Sequence, residues 1–295
     1  MRKRIRYSQN FLKNRDLVRQ LVEKSSIRRG DLVYEIGAGE GIITQALSVV
    51  CKKVIAYEID ENLSNKLKQR FAKDLVDIRS QDFLKSSLPG YEYKVFSNIP
   101  FNLTAEIIKK LTFSANPPAD MYLIVQKEAA KKFLGEVLKV NNSLVSVLIQ
   151  VGFEVSLFYE FSRNDFIPRP MVDIVMIRLL KRDNPLVDKE KLDSYYDFIT
   201  YAFSQFAPNI STGLGKILNQ QEISNVAKQN RFSDSVKPSE VPLEGWVGLF
   251  NEFMRHGNTP LVSGAYKRLL VEQSKLEKIN RTRLDKNWKI KRYEK

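Results

Sequence analysis

The chain has 295 residues, with 48 Lys and Arg against 34 Asp and Glu, a formal net charge of +14, one cysteine and one histidine. The lone Cys51 excludes an intramolecular disulfide and Cys-based clusters, and the lone His256 excludes multi-His metal sites and leaves at most one imidazole for a Ser-His-Asp triad. A hydrophobic share of 43% fits a folded globular chain, and no run of about 18 apolar residues offers a membrane span. No metal is expected. Met1 to Arg6 is basic but is followed by Tyr7-Ser8-Gln9-Asn10 rather than an apolar stretch, so no secretory signal and a cytoplasmic location are expected.

A helix is predicted over 16–25. From Leu32 to about Lys181, apolar β-rich runs then alternate with helical ones. The strands are predicted over 32–36, 53–59, 76–80, 93–98, 121–126, 154–161 and 172–180. Helices are predicted over 42–50, 61–71, 104–112, 127–138 and 143–151. Several strands are continuously apolar, as strands buried on both faces of a parallel sheet are. Strand–helix alternation of this length predicts an α/β, Rossmann-like doubly wound sheet of seven strands. Asp183-Asn184-Pro185 reads as a linker. From Asp188 to Arg255 the pattern is helical: Leu192, Tyr195, Tyr196 and Ile199 recur at helix spacing, as do Leu243, Val247, Phe250 and Phe253. The last 40 residues show no strong periodicity.

The first β-strand of the series, Val33-Tyr34-Glu35-Ile36, runs into Gly37-Ala38-Gly39-Glu40-Gly41 and a helix. Glycines there let the backbone turn sharply and a ligand approach closely. Glu58 ends the next strand, 21 residues after Gly37, where a carboxylate is placed to hold two ribose hydroxyls. Asp82 ends the third, where a carboxylate can accept from an adenine amino group, with Phe83 against the ring. The loop lacks the dinucleotide spacing and any Lys or Arg for a phosphate, and carries an acid, Glu40; the chain has no Walker A sequence. These features favour an adenosyl ligand without phosphates, S-adenosylmethionine.

The fourth strand ends Phe96-Ser97-Asn98-Ile99-Pro100-Phe101. The Asn98 side-chain oxygen and a nearby main-chain carbonyl can accept both hydrogens of an exocyclic amine. Its nitrogen lone pair is then freed toward a methyl donor. Phe101 offers a π face to stack the base and to stabilise the positive charge that develops. Asn98, Ile99, Pro100 and Phe101 are therefore the candidate catalytic set. A purely RNA-binding relative that had lost catalysis would have no use for this clamp.

At these residues the chain resembles the Erm methyltransferases, which modify an adenine N6 in 23S rRNA, and the related KsgA-type dimethyltransferases of small-subunit rRNA. The resemblance spans about residues 6–255 and rests on Ser8-Gln9-Asn10-Phe11-Leu12, 35–41, Glu58-Ile59-Asp60, Asp82-Phe83-Leu84, 98–103 and 166–172. It implies that Gln9, Asn10 and Leu12 close over the methionine end of the cofactor, that Gly37 lies against it, and that Asn98 faces the reaction centre. Glu58 would bind the ribose and Asp82 the adenine. The cofactor-binding set thus comprises Gln9, Asn10, Leu12, Gly37, Gly39, Glu58, Ile59, Asp82, Phe83 and Asn98, and the target base would be held by Phe101 and Phe166. Ser8-Gln9-Asn10 and Leu243-Glu244-Gly245-Trp246-Val247-Gly248-Leu249-Phe250 resemble the Erm branch, implying a 23S rRNA substrate and macrolide-lincosamide-streptogramin B resistance. The family pattern is Asn-x-Pro-Tyr; with Phe101, stacking survives and a hydroxyl contact does not, which leaves mono- against dimethylation open.

The excess charge sits at the two ends. Residues 1–15 carry six bases and no acid, 256–295 carry eleven bases and four acids, and the 240 residues between them are close to neutral. Such ends suit a polyanion, and Lys286-Asn287-Trp288-Lys289-Ile290-Lys291-Arg292-Tyr293 adds aromatics for stacking; a solvated tail has the same composition. Lys127, Lys131, Lys132 and Lys139 could line an RNA path or a solvated helix face. The expected organisation is a catalytic domain over 1–182 opened by the basic segment 1–15, a helical RNA-binding domain over 183–256 and a basic extension over 257–295, acting as a monomer on rRNA.

Overall fold

The computed structural model describes residues 10–256 and 260–275. The chain divides into two compact units, 1–140 with 152–184, and 141–151 with 185–295.

The first unit is built on a seven-stranded sheet: β2 (Leu32–Ile36), β3 (Lys53–Tyr57), β4 (Val76–Arg79), β5 (Lys94–Asn98), β6 (Asp120–Gln126), β7 (Phe153–Glu160) and β9 (Ile174–Lys181). Its spatial order is β4-β3-β2-β5-β6-β9-β7. β2 to β6 pair in parallel, and β9 lies antiparallel to both β6 and β7. The expected sheet is therefore present, with strand ends within two residues of those read from the sequence. α1 (Arg15–Lys24), α2 (Ile42–Ser48), α3 (Glu61–Arg70), α4 (Thr104–Thr112) and α5 (Lys127–Leu134) cover it. The strands are apolar because both faces are covered: Val33, Val54, Ala56, Val95 and Leu123 are fully buried.

The strand order reverses between β2 and β5, the place where an open α/β sheet leaves a crevice at its carboxyl edge. Ser97 holds that junction. Its hydroxyl accepts from the Ile36 amide at 3.0 Å and donates to the Ile36 carbonyl at 2.7 Å. At the other end of the sheet, Arg178 makes a two-pronged ion pair with the buried Asp120, which also accepts from Ser26 and Tyr122. A buried carboxylate is tolerated only with such partners; the rigid foot leaves the opposite edge for the site.

One small sheet was not read from the sequence. β1 (Phe11–Leu12) pairs antiparallel with β8 (Phe166–Ile167), and the Lys13 amide adds a bond to the Asp165 carbonyl at 2.9 Å. Two-residue strands carry no periodicity to detect. This ribbon ties residues 10–13 across the mouth of the sheet's crevice.

The second unit is helical: α6 (Leu144–Gln150), α7 (Leu192–Ser204), α8 (Ile210–Leu214), α9 (Gln220–Gln229), α10 (Leu243–Arg255) and a helix over 265–275. Its core centres on Tyr195, Phe198, Trp246, Phe250 and Phe253, all fully buried. The buried stripe is rotated from the expected one, since Tyr196 and Val247 are only half-buried while Phe198 and Trp246 take the centre. Residues 141–151, read as part of the α/β series, belong to this unit. Asn142 fixes them there: its amide donates to the Ser239 carbonyl at 2.8 Å and its side chain to the Val241 carbonyl at 3.2 Å. The helix over 265–275 falls in the stretch without periodicity. Asp197 of α7 caps it by accepting from the Gly264 and Tyr266 amides.

Candidate active site

The site is assembled at the carboxyl edge of β2, β3, β4 and β5. Gly37, Gly39 and Gly41 all have left-handed backbones, with φ of 80°, 57° and 79°. A Cβ on Gly39 would lie 2.8 Å from the Phe11 ring, so glycine there is required both by conformation and by the closeness of β1. The Gly37 and Ala38 amides donate to the Tyr57 carbonyl at 2.8 and 3.0 Å, which locks the loop onto the end of β3.

Glu58 is 2% exposed. Its two carboxylate oxygens accept from the amides of Gly39, at 2.8 Å, and Asp60, at 2.9 Å. Each oxygen keeps a further lone pair, as two adjacent ribose hydroxyls need. The neighbouring Ile59 is a large apolar side chain left 54% exposed at the cleft. Asp82 caps a short turn through the Leu84 amide at 2.9 Å. Glu58, Ile59, Asp82, Phe83 and Pro100 line one continuous cavity with Gly37.

Phe83 lines that cavity from a largely buried position. Its ring stands edge-on to Tyr57 at 5.1 Å, and the Lys110 ammonium lies 5.2 Å from its centroid. Lys110, on α4, went unnoticed in the sequence. Its ammonium donates to the carbonyls of Leu84 and Ser86, at 2.9 and 2.5 Å, and so clamps the turn that carries Asp82. Burial holds its ionisation below the usual lysine range, against the pull of Asp82.

Asn98 ends β5. Its side-chain nitrogen donates to the Asn10 carbonyl at 2.9 Å. That bond fixes the orientation of the amide, because only the NH₂ can donate. The other atom, Oδ1, is buried without a partner. A buried acceptor without a donor costs about 1–3 kcal/mol, and such atoms in native structures call for an explanation. This one lines a cavity with Asn10, Phe11, Gly37, Ile99, Pro100 and Phe101. Leu12, Glu35, Gly39 and Asn98 share an adjoining cavity.

Of the residues singled out from the sequence, the structure brings Asn10, Leu12, Gly37, Gly39, Glu58, Ile59, Asp82 and 98–101 to one connected edge. Gln9 lies outside the described residues. Phe166 is not at the reaction pocket: it is 1% exposed, packs edge-on against Phe161 at 5.3 Å, and sits opposite Leu12 in the ribbon. Its strand places it on the core side, and its neighbour Ile167, 57% exposed, is the one turned outward. Glu35 is a further buried acid, held by the Thr44 hydroxyl at 2.6 Å. Burial pushes its ionisation up to about 8, with Glu58 adding to the rise and the Thr44 bond opposing it. Of the four lysines considered for an RNA path, Lys127 pairs with Glu160 and Lys131 with Glu128.

The model of ribosomal RNA adenine dimethylases matches residues 1–255. The chain belongs to the ribosomal RNA adenine dimethylase family. Members of this family are S-adenosylmethionine-dependent methyltransferases acting on rRNA adenine, and this chain is an enzyme of that kind. It is 30% identical over 253 residues to the ribosomal RNA small subunit methyltransferase A of Mycoplasmopsis pulmonis, covering 85% of this chain and 99% of the relative. It is 28% identical over 262 residues to an rRNA adenine N-6-methyltransferase of Streptococcus sanguinis, covering 86% and 98%. Among solved structures, the 23S rRNA methyltransferase ErmE superposes with a TM-score of 0.76 at 25% identity, over 83% of this chain and 99% of that one. A dimethyladenosine transferase from Plasmodium falciparum shares the fold, with a TM-score of 0.69 at 21% identity, over 84% and 98%. The dimethylase family's cofactor fits the residues present: glycines where a side chain would fill the cradle, a fixed carboxylate, and no Lys or Arg among the described residues lining these cavities.

Proposed function

We propose that the enzyme methylates N6 of an adenine in 23S rRNA and thereby confers resistance of the macrolide-lincosamide-streptogramin B type. The observation that carries the chemistry is Asn98 Oδ1, a buried acceptor held in place by the Asn10 carbonyl and left without a donor. It accepts one hydrogen of the target amine, and a main-chain carbonyl of the same turn accepts the other. The nitrogen lone pair is thereby turned out of conjugation. Phe101 stacks on the base and stabilises the charge that develops on the amine. S-adenosylmethionine would supply the methyl group when bound, its sulfonium becoming a thioether as the S–CH₃ bond breaks, and the cationic amine would release its proton to solvent. Glu58, Ile59 and Asp82 orient its adenosine, and Asn10 and Leu12 close over its other end. The target leaves its stack to reach this pocket, so it lies in a loop or single strand.

The choice of 23S rRNA is supported by Ser8-Gln9-Asn10, by the sequence 243–250 and by the superposition on ErmE. A second reading, dimethylation of small-subunit rRNA, is favoured by relatives at 30 and 32% identity that carry that name. The two separate in a methyl-transfer assay with labelled cofactor, offering protein-free 23S rRNA and 30S particles separately and identifying the nucleoside by mass spectrometry. N6-methylated adenosine in 23S rRNA alone is the expected result. Adjacent dimethyladenosines in 30S particles alone would assign the enzyme to the small subunit.

A further inference from the structure

Beside the Asn98 pocket, and sharing Phe11 with it, lies an open groove of about 580 Å³. Its rim carries Lys13, Arg15, Arg19 and Arg70, all exposed, and Glu40 is its one acid. Ile42, Val49 and Ile167 supply apolar surface, and Val49 and Ile167 are 70% and 57% exposed. Two of the cations are engaged: Arg19 pairs with Asp16, and Arg70 donates to the Glu40 carbonyl and the Gln45 side chain. Lys13 and Arg15 pair with no acid among the described residues, and no structural task explains them.

We propose that this groove holds the RNA nucleotides next to the target adenosine, with their phosphates on Lys13 and Arg15 and a base or ribose against Val49 and Ile167. Three observations carry this. Phe11 lines both the groove and the Asn98 pocket, so the two sites share one wall and a nucleotide in the groove lies next to one in the pocket. Exposed aliphatic side chains ringed by cations suit a nucleotide, which has an apolar face and an anionic backbone. Finally, the described lining sets Lys13, Arg15, Arg19 and Arg70 against the single acid Glu40, so the groove attracts a polyanion. The inference rests on rRNA being the substrate and holds for either ribosomal subunit.

The test is the double charge reversal Lys13→Glu/Arg15→Glu in the full chain, with Lys13→Gln/Arg15→Gln beside it. Arg15 opens α1, where an acid suits the helix dipole, and the Lys13 side chain bonds to nothing among the described residues, so both variants are expected to fold, as a thermal melt checks. The probe is whichever of 23S rRNA and 30S particles the wild type methylates. The expected result is an RNA KM raised about tenfold or more for the reversal, less for the neutral pair, and a salt slope flattened by about 1.4–1.8 for two phosphates no longer neutralised. Cofactor Kd stays within about twofold. An unchanged RNA KM and salt slope would overturn the inference. So would a cofactor Kd that rises in step with KM, since the groove would then serve the cofactor. A wild type that methylates neither substrate would instead fail the functional reading; the groove is then read from filter binding of 23S rRNA by the same variants, with the same salt slope as criterion.

Discussion

In the proposed reaction Asn98 concentrates the chemistry because its side chain joins a fixed NH₂ to a buried acceptor that has no partner. Its NH₂ is bound by Asn10, and its oxygen is buried without a partner. Asn98→Ala is therefore expected to lower the methylation rate by about 100-fold or more, the usual cost of one preorganised polar contact to a reacting group. Cofactor affinity should stay within about tenfold, since Glu58 and Asp82 are untouched. Labelled-methyl transfer and calorimetry check the two halves, and normal turnover would dismiss the clamp. Glu35 makes a different kind of prediction. An acid whose ionisation rises from 4.5 to about 8 on folding holds a proton that the unfolded chain gives up. Stability thus falls as pH rises from about 4.5 to about 8 and is flat above. Glu35→Gln removes that slope. The variant is expected to melt close to wild type at pH 4.5 and at least about 2–4 °C higher at pH 8.5. Parallel melting curves at both pH values would show that Glu35 stays ionised in the fold.

At the scale of elements, the readable parts are those where one strand's sequence settles its own fate. The apolar runs of β2, β3, β5 and β6 announce a buried parallel sheet, and the polar residues just past β3, beyond β4 and at the end of β5 mark the crevice. Glu58, Asp82 and Asn98 were legible for that reason. What stayed hidden depends on contacts between segments distant in sequence. The β1–β8 ribbon joins residues more than 150 positions apart, and only that pairing shows that Phe166 faces the core while Ile167 faces out. Residues 141–151 have a helical pattern that fits either unit, and the bonds of Asn142 to Ser239 and Val241 decide between them. Lys110 reads as one more exposed base on an amphipathic helix until its ammonium is seen on the Leu84 and Ser86 carbonyls. Lys110→Met keeps the aliphatic stem and removes both bonds, each of a charge-assisted kind worth about 1.5–3 kcal/mol. The turn carrying Asp82 should loosen, and cofactor Kd should rise about tenfold or more. RNA affinity should not change. Calorimetry with cofactor and filter binding with rRNA separate the effects, and an unaltered cofactor Kd would show that Asp82 needs no clamp.

For the molecule as a whole, the distribution of charge and the boundary of the family diverge in an informative way. The family match stops at residue 255, yet residues 256–295 hold half of the net charge, with eleven bases against four acids. The extension begins as ordered structure: Asp197 caps the helix over 265–275 through two backbone amides, and Tyr266 packs on Tyr196 at 5.4 Å. Its described bases Lys267, Arg268 and Lys275 are exposed, and eight more follow before the end. The cap from Asp197 holds this helix, and with it Lys267, Arg268 and Lys275, at a fixed place on the second unit, where a solvated tail would have no need of the cap. Deleting 267–295 is thus expected to weaken rRNA binding and lower the magnitude of its salt slope, by roughly 0.7–0.9 for each phosphate that the extension neutralises. The catalytic rate at saturating RNA should persist, because every residue of the pocket lies in the other unit. Asp197→Asn keeps the charge of the extension and weakens only its anchor, so it should reproduce part of the drop in affinity with little change of slope. If the deletion leaves both affinity and slope unchanged, the extension keeps the protein soluble and takes no part in holding RNA.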